Sequence, residues 1–274
     1  MSSAITRFAV FGHPIAHSLS PAIHAAFAAQ FDIDLTYVTI DAAPDAFADA
    51  VQAFFRDGGA GANVTLPHKR AALELAASAT VAATRAGTAN VLTPRADGLE
   101  AHNTDGAGLV RDLVERHHAT LRDGRVLLLG AGGAAHGVAG PLLDARIAQL
   151  TVVNRTCARA QELVDHLDDS TRAVARDWDA LASLGPFDLI VNATSAGVHR
   201  QVLTLPAHLA NAGTLGYDLS YGPAATPFVT WAQAAGARHA LDGLGMLLET
   251  AADAFELWHG KRPDTDPVYQ KLRG

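Results

Sequence analysis

The sequence predicts an α/β protein built as two domains. Three observations carry that reading. Short β-branched, apolar runs alternate with amphipathic helical ones, the alternation occurs in two blocks, and the second block holds a glycine-rich turn between a strand and a helix. At 274 residues the chain has room for two domains, and its charged fraction of 18%, against about 25% in ordinary globular chains, implies a large interior rather than disorder.

In the first block, Arg7-Phe8-Ala9-Val10-Phe11, Leu35-Thr36-Tyr37-Val38-Thr39-Ile40 and Asn63-Val64-Thr65 read as strands. Pro21 to Phe31, Pro44 to Arg56 and Lys69 to Ala77 have apolar residues at helical spacing. This β-α-β-α-β-α order predicts a mainly parallel sheet with helical crossovers. Asn90-Val91-Leu92 and Leu99-Glu100-Ala101 flank Pro94 to Gly98 as a hairpin. A helix over Gly108 to Arg116 and a polar connection, His117 to Gly124, lead to the second block. There Arg125 to Leu129 forms a buried strand, and Leu150 to Val153, Asp188 to Val191 and Thr214 to Asp218 continue the sheet with helices between. From Leu241 the pattern turns helical, with a helix over Gly245 to Trp258 stopped by Gly260. The expected domains are residues 1–106 completed by 241–274, and residues 107–240.

Composition narrows the function classes. A net charge of −7 repels a phosphate backbone, so no nucleic-acid partner is expected. The single cysteine, Cys157, cannot form an internal disulfide and fits a reducing compartment. Met1 to Arg7 lacks a basic, apolar secretory leader, and the most apolar stretch, Val126 to Leu143, is too interrupted by glycine to span a bilayer. A cytoplasmic protein without membrane contact is the expectation. His13, His17 and His24 lie close in sequence, but Pro14 disrupts their spacing and no Cys or acid adjoins them, so no metal is expected.

The glycine-rich turn is Gly130-Ala131-Gly132-Gly133-Ala134-Ala135, which follows the strand 125–129 and opens a helix, as a dinucleotide fingerprint must. Gly130 permits the tight turn, Gly132 lets the backbone approach a pyrophosphate, and Ala135 is small enough for the helix to lie on the strand. The helix N-terminus then offers N–H groups to phosphate. An NAD site would place an acid about 20 residues on, at the end of the next strand. Here Asn154-Arg155-Thr156 stands there with Arg159 one turn further, guanidinium forks and neutral hydrogen bonds suited to a 2′-phosphate. NADP is therefore preferred.

The first block carries polar residues at element boundaries. Ser18-Leu19-Ser20-Pro21 places Ser20 at a helix N-cap with Pro at the first helical position, an anion site with two hydroxyls that would suit a carboxylate. Asn63-Val64-Thr65-Leu66-Pro67-His68-Lys69 puts a lysine where strand gives way to helix, and Asn103-Thr104-Asp105-Gly106 puts an acid at another boundary.

These motifs, with Phe11 to Pro21, Asn192 to Gly197, Tyr217-Asp218-Leu219-Ser220-Tyr221 and Asp242 to Leu247, strongly resemble the shikimate dehydrogenases along nearly the whole chain. The resemblance implies an N-terminal α/β substrate domain plus a Rossmann-type NADP-binding domain, with C-terminal helices returning to the substrate domain. It implies reversible hydride transfer between NADPH and 3-dehydroshikimate, giving shikimate, in aromatic amino-acid biosynthesis, by a monomer or homodimer. Ser18, Ser20 and Tyr221 would hold the substrate carboxylate; Thr65, Asn90 and Asp105 would bind ring hydroxyls. Lys69 and Asp105 would be the catalytic pair, since reducing a ketone builds negative charge that a cationic proton donor stabilises. Thr194, Leu219 and Gly243 would lie along the cofactor near its nicotinamide. The family usually carries Gln where this chain has Thr250; the shorter side chain implies a binding loss of about 1 kcal/mol, with a water or another group covering the gap. Two alternatives remain: a quinate/shikimate dehydrogenase also using NAD, and a nonenzymatic NADP-binding sensor.

Overall fold

The computed structural model describes residues 6–201 and 203–274; the leader reading on Met1 to Ile5 lies outside them. The chain divides into two compact units, Met1–Gly108 with Leu248–Gly274, and Leu109–Leu247.

The first unit opens with β1 (Thr6–Gly12), α1 (Ser20–Ala29), β2 (Leu35–Asp41), α2 (Phe47–Arg56), β3 (Gly59–Val64) and α3 (Lys69–Leu75). It continues with β4 (Ser78–Ala79), α4 (Val81–Ala86), β5 (Val91–Arg95) and β6 (Gly98–His102). The sheet order is β2-β1-β3-β5-β6-β4. β1 pairs in parallel with β2 and β3, while β5 and β6 form the antiparallel hairpin read from the sequence. Strand periodicity puts alternate β1 side chains on opposite faces. Ala9 and Phe11 join Phe47, Val51 and Phe54 in one core, and Phe8 and Val10 join Ile15 and Tyr37 in another.

α5 (Asp105–Arg111) leads from this unit into the second and widens into a π-helical turn, Asp112–Arg116. It therefore starts three residues before the expected Gly108. The second unit then runs β7 (Arg125–Leu129), α6 (Gly133–Asp144), β8 (Gln149–Val153), α7 (Cys157–Leu167) and β9 (Ala173–Arg176). After it come β10 (Leu189–Asn192), β11 (Leu215–Asp218), α8 (Thr226–Ala234) and β12 (His239–Leu241). All five pairings are parallel, in the order β12-β11-β10-β7-β8-β9. That is the doubly wound order of dinucleotide-binding folds, with the switch of direction between β10 and β7. Such a sheet is covered on both faces, so β7 is apolar after its exposed first residue, Arg125: Val126 and Leu128 enter one core, Leu127 and Leu129 the other.

α9 (Leu244–His259) returns the chain to the first unit, where α10 (Asp266–Arg273) ends it. Trp258 on α9 stacks on Phe8 at 4.7 Å. Among the described residues no helix is long and apolar enough to cross a membrane.

Two local expectations need correction. Ser20 is not the N-cap of α1: Leu19 holds that position, its carbonyl accepting from the Ile23 N–H, and Ser20 is already helical. Pro21 suits either of the first two helical positions, so it could not fix the start to one residue. The strand expected to reach Thr65 ends at Val64, because Thr65 opens the turn into α3, its carbonyl accepting from the His68 N–H.

Candidate active site

In the first unit, Lys69 is the first residue of α3 and is set by the turn before it. The His68 ring lies flat on Phe47, with ring centroids 4.3 Å apart, and its Nε2 meets the Ala42 carbonyl at 2.8 Å. Asp105 is the first residue of α5. Its N–H donates to the Asn103 side-chain oxygen, while the Asn103 amide is tied to the carbonyl and hydroxyl of Thr88. Both boundary residues are thus held by buried polar contacts behind them, as a precise site requires.

The two meet. Lys69 Nζ donates to Asp105 Oδ2 at 2.5 Å, and the side chains are only 11% and 6% exposed. Asn90 Nδ2 donates to Asp105 Oδ1 at 3.0 Å and to Thr104 Oγ1 at 2.9 Å, and its Oδ1 accepts from the Thr104 N–H. Both carboxylate oxygens therefore accept hydrogen bonds, whereas an ammonium has three protons, of which Asp105 takes one. Thr104 Oγ1 passes its own proton to the Thr250 carbonyl at 3.3 Å. Thr250 thus touches this cluster through its backbone. Glu249 is committed elsewhere, to Arg262 at 2.6 Å and Thr265 at 2.6 Å, so it does not stand in for the missing Gln.

The serines form a pair of their own. Ser18 Oγ donates to Ser20 Oγ at 3.1 Å and accepts from the Ser20 N–H. Beyond them the Tyr37 hydroxyl donates to Asn63 Oδ1 at 2.6 Å, and Asn63 Nδ2 reaches the Asn90 carbonyl at 3.4 Å. Burial pushes the Tyr37 hydroxyl well above the usual tyrosine range, opposed by a hydrogen bond with Ser20, so it remains a donor. Hydrogen bonds run from Tyr37 through Asn63, Asn90 and Asp105 to Lys69. Tyr37 and Asn63 were read from sequence only as strand residues; an alternating strand with an inward Tyr is the one signal that could have marked the former. Thr65 is half-buried in the turn ahead of Lys69.

The second unit carries the expected dinucleotide residues along the carboxyl edge of its sheet. Gly130 has φ +101, and a Cβ there would press the Ala193 carbonyl at 3.0 Å. Gly132 is the exposed, extended N-cap of α6, with open space where a side chain would be and no acid in the first turn. Ala131, Gly133 and Ala134 are half-buried and Ala135 is buried against the sheet. Asn154 closes the turn after β8 by donating to the Thr156 carbonyl at 3.0 Å, leaving Arg155, Thr156 and Arg159 exposed beside it. A cradle without a competing carboxylate fits a pyrophosphate, and paired guanidinium groups fit a further phosphate. Tyr221 also belongs to this unit, half-buried at the turn after β11.

At the ends of β10 and β11, Asp218 accepts from Asn192 Nδ2 and the Ser220 N–H, each at 2.7 Å, and Asn192 Oδ1 accepts from Thr194 Oγ1 at 2.8 Å. Burial raises the Asp218 carboxyl from 3.8 to about 6, with Asp242 nearby pushing the same way. A carboxyl raised by folding favours the fold below its unfolded value and loses that contribution as pH rises through about 6. Relative to Asp218→Asn, the unsubstituted protein is expected to lose on the order of 3 kcal/mol between about pH 4 and pH 7. Urea unfolding of both across that range checks it; a stability difference flat in pH contradicts it.

Among the described residues no group of His, Cys, Asp or Glu could hold a metal ion. His13 sits on Asp41 at 2.6 Å, and Cys157 is exposed at the start of α7.

Comparison with known proteins follows these features. Three family models match: the shikimate dehydrogenase substrate binding domain over residues 10–92, shikimate / quinate 5-dehydrogenase over 112–204, and the shikimate 5′-dehydrogenase C-terminal domain over 243–273. A shikimate dehydrogenase (NADP(+)) from Stenotrophomonas maltophilia is 54% identical, covering 97% of this chain and 95% of that protein. Another from Xanthomonas campestris pv. campestris is 55% identical over 98% and 96%. The crystal structure of shikimate 5-dehydrogenase from Thermus thermophilus in complex with NADP(H) and shikimate is 35% identical, with a TM-score of 0.86 over 98% of this chain and 99% of that one. With full-length relatives above half identity and family models on both units, the chain belongs to the shikimate dehydrogenase family.

Proposed function

We propose that this protein reversibly reduces 3-dehydroshikimate to shikimate with NADPH, and that Lys69 and Asp105 carry the proton chemistry. The observation that carries the reading is the nearly buried Lys69–Asp105 pair, held at 2.5 Å with Asn90 on its far side. A binding module has no use for a paired ammonium and carboxylate with spare donors in a polar cluster, whereas ketone reduction needs both.

The Gly130 to Ala135 loop would hold the pyrophosphate; Asn154, Arg155, Thr156 and Arg159 the 2′-phosphate; and Thr194, Leu219 and Gly243 the nicotinamide end. When bound, NADPH supplies the hydride. The Lys69 ammonium stabilises the negative charge developing on the carbonyl oxygen and supplies the proton that makes it a hydroxyl. Asp105, with both oxygens already accepting, anchors that ammonium and orients the neighbouring ring hydroxyl. Ser18 and Ser20 would bind the substrate carboxylate with Tyr221, and Thr65, Asn90 and Thr250 would face ring hydroxyls. On this reading Met1–Gly108 with Leu248–Gly274 is the substrate unit and Leu109–Leu247 the cofactor unit.

The test follows NADP⁺ and NAD⁺ reduction with shikimate and with quinate. Turnover confined to shikimate with NADP⁺ is expected; no turnover with any pairing removes the enzyme reading, and equal turnover with quinate and NAD⁺ moves it to the broader dehydrogenase. In the same assay Arg155→Ala is expected to raise KM for NADP⁺ about tenfold, while direct titration shows little change in Kd for NAD⁺, because a charge-assisted bond to phosphate is lost. Equal effects on both cofactors would take Arg155 out of the 2′-phosphate site.

A further inference from the structure

The second unit contains a buried carboxylate that the proposed chemistry does not use. Asp112, 1% exposed, opens the π-helical turn after α5. It accepts from the Tyr217 hydroxyl at 2.7 Å, forms an ion pair with Arg116, and has His117 Nε2 at 3.6 Å. Tyr217, fully buried on β11, accepts in turn from the Met246 N–H at 3.1 Å. Burial and the Asp112 carboxylate keep the Tyr217 hydroxyl protonated, so its one proton goes to Asp112 and its lone pair to Met246.

The segment reached is Asp242 to Leu247. At its start Gly243 donates to the Ser220 carbonyl at 2.7 Å, and a Cβ on Gly243 would run into the Leu219 carbonyl. At its far end a Cβ on Gly245 would run into the Asp112 carboxylate. Two glycines therefore let this segment sit against the carboxyl end of β11 on one side and against Asp112 on the other. That end of a doubly wound sheet is where its ligand binds, and π-helical turns recur at functional sites.

We propose that Asp112 and Tyr217 are positioning residues for hydride transfer. Their hydrogen bonds fix the Gly243 to Met246 backbone against Leu219, which sets the wall on which the nicotinamide rests. This rests on the functional reading above. Neither side chain touches the reacting atoms, and the cofactor's phosphates are held elsewhere, by the Gly130 loop and Arg155. Loosening this wall should then slow the transfer while leaving overall cofactor binding nearly intact.

Tyr217→Phe keeps the ring and removes the bridging oxygen. In the free protein, hydrogen exchange of the Met246 amide is expected to accelerate about tenfold or more. With 3-dehydroshikimate and NADPH, kcat is expected to fall about tenfold, with NADPH and shikimate Kd changed less than about threefold. The isotope effect on kcat with NADPH deuterated at the transferred position should rise, as hydride transfer becomes rate-limiting. Asp112→Asn, which keeps one acceptor for Tyr217, should shift kcat and the isotope effect in the same direction by less, and serves if Tyr217→Phe does not fold. Unchanged Met246 exchange, or a normal kcat and isotope effect in a folded variant, overturns the proposal. Failure of the functional reading is recognised separately, by absence of turnover in the unsubstituted protein.

Discussion

Lys69→Ala is expected to lower kcat/KM for 3-dehydroshikimate by about a thousandfold or more while leaving NADPH Kd within about twofold. The magnitude joins two losses. A positioned general acid is worth about 10²–10⁴ in rate, and a charge aimed at a developing oxyanion about 10²–10³; one side chain supplies both, so they overlap rather than multiply. NADPH binding is spared because every residue assigned to the cofactor lies in Leu109–Leu247 and Lys69 does not. Truncation also leaves the Asp105 carboxylate buried, with Asn90 on one oxygen only. A fall in stability of a few kcal/mol is therefore expected. Lys69→Met, which fills the volume, separates the effects: it should recover packing but no rate. Asp105→Asn should cost less in rate than Lys69→Ala, because the ammonium remains and only its anchor is weakened. Steady-state rates, NADPH titrations and melting curves on the three variants decide the matter. A folded Lys69→Ala within tenfold of the unsubstituted rate would remove Lys69 from the chemistry.

Lys69 and Asp105 were legible in the sequence because both stand at changes of local pattern, strand to helix and hairpin to helix, where side chains face out of a sheet edge. β7 was legible to the residue, since the apolar run Val126 to Leu129, buried on both faces, is bounded by Arg125 on one side and by the Gly130 turn on the other. What pattern alone did not show is short or non-local. β4 has two residues and β12 three, too few for a period, and both exist because the neighbouring strand end offers a free edge. α10 has only about two turns, and its apolar side, Val268, Tyr269 and Leu272, is too short to mark a period. The Tyr37 to Asn63 bond joins β2 to β3 across β1, a relation that only the sheet order β2-β1-β3 creates. Ser20 was misplaced by one position for a local reason: Pro21 is acceptable at either of the first two helical positions. The Asp112 to Tyr217 bond spans 105 residues, and nothing near either in sequence signals the other.

His24→Phe is expected to make the protein markedly less sensitive to acid. The His24 imidazole is 1% exposed and neither ring nitrogen has a hydrogen-bond partner. It stacks on Tyr37 at 4.2 Å, nearly parallel, with Trp258, Phe27 and Phe255 around it, so it serves here as an aromatic ring. Burial, helped by the field of His259, lowers its pKa from 6.5 to about 3; Asn63, outside hydrogen-bonding geometry, offsets little of that. A histidine depressed by folding binds its proton better when unfolded. Its contribution to stability is therefore whole above about pH 6.5 and is lost progressively as pH falls towards 3. The gap is worth on the order of 5 kcal/mol, a large share of the 5–15 kcal/mol that holds a typical domain together. Phenylalanine keeps the stack and has no proton to take up, so the variant should match the unsubstituted protein near pH 8 and exceed it increasingly below pH 6. The same shift bears on the site, because Tyr37, the ring under His24, donates to Asn63 beside Asn90. Protonating His24 would leave a buried cation with no hydrogen-bond partner behind that ring, a cost that opening the unit relieves. Activity of the unsubstituted enzyme, measured after brief exposure to about pH 4 and return to neutrality, should fall where that of His24→Phe persists. Unfolding curves of the two proteins that run parallel in pH would show that His24 is not the group whose protonation opens this unit.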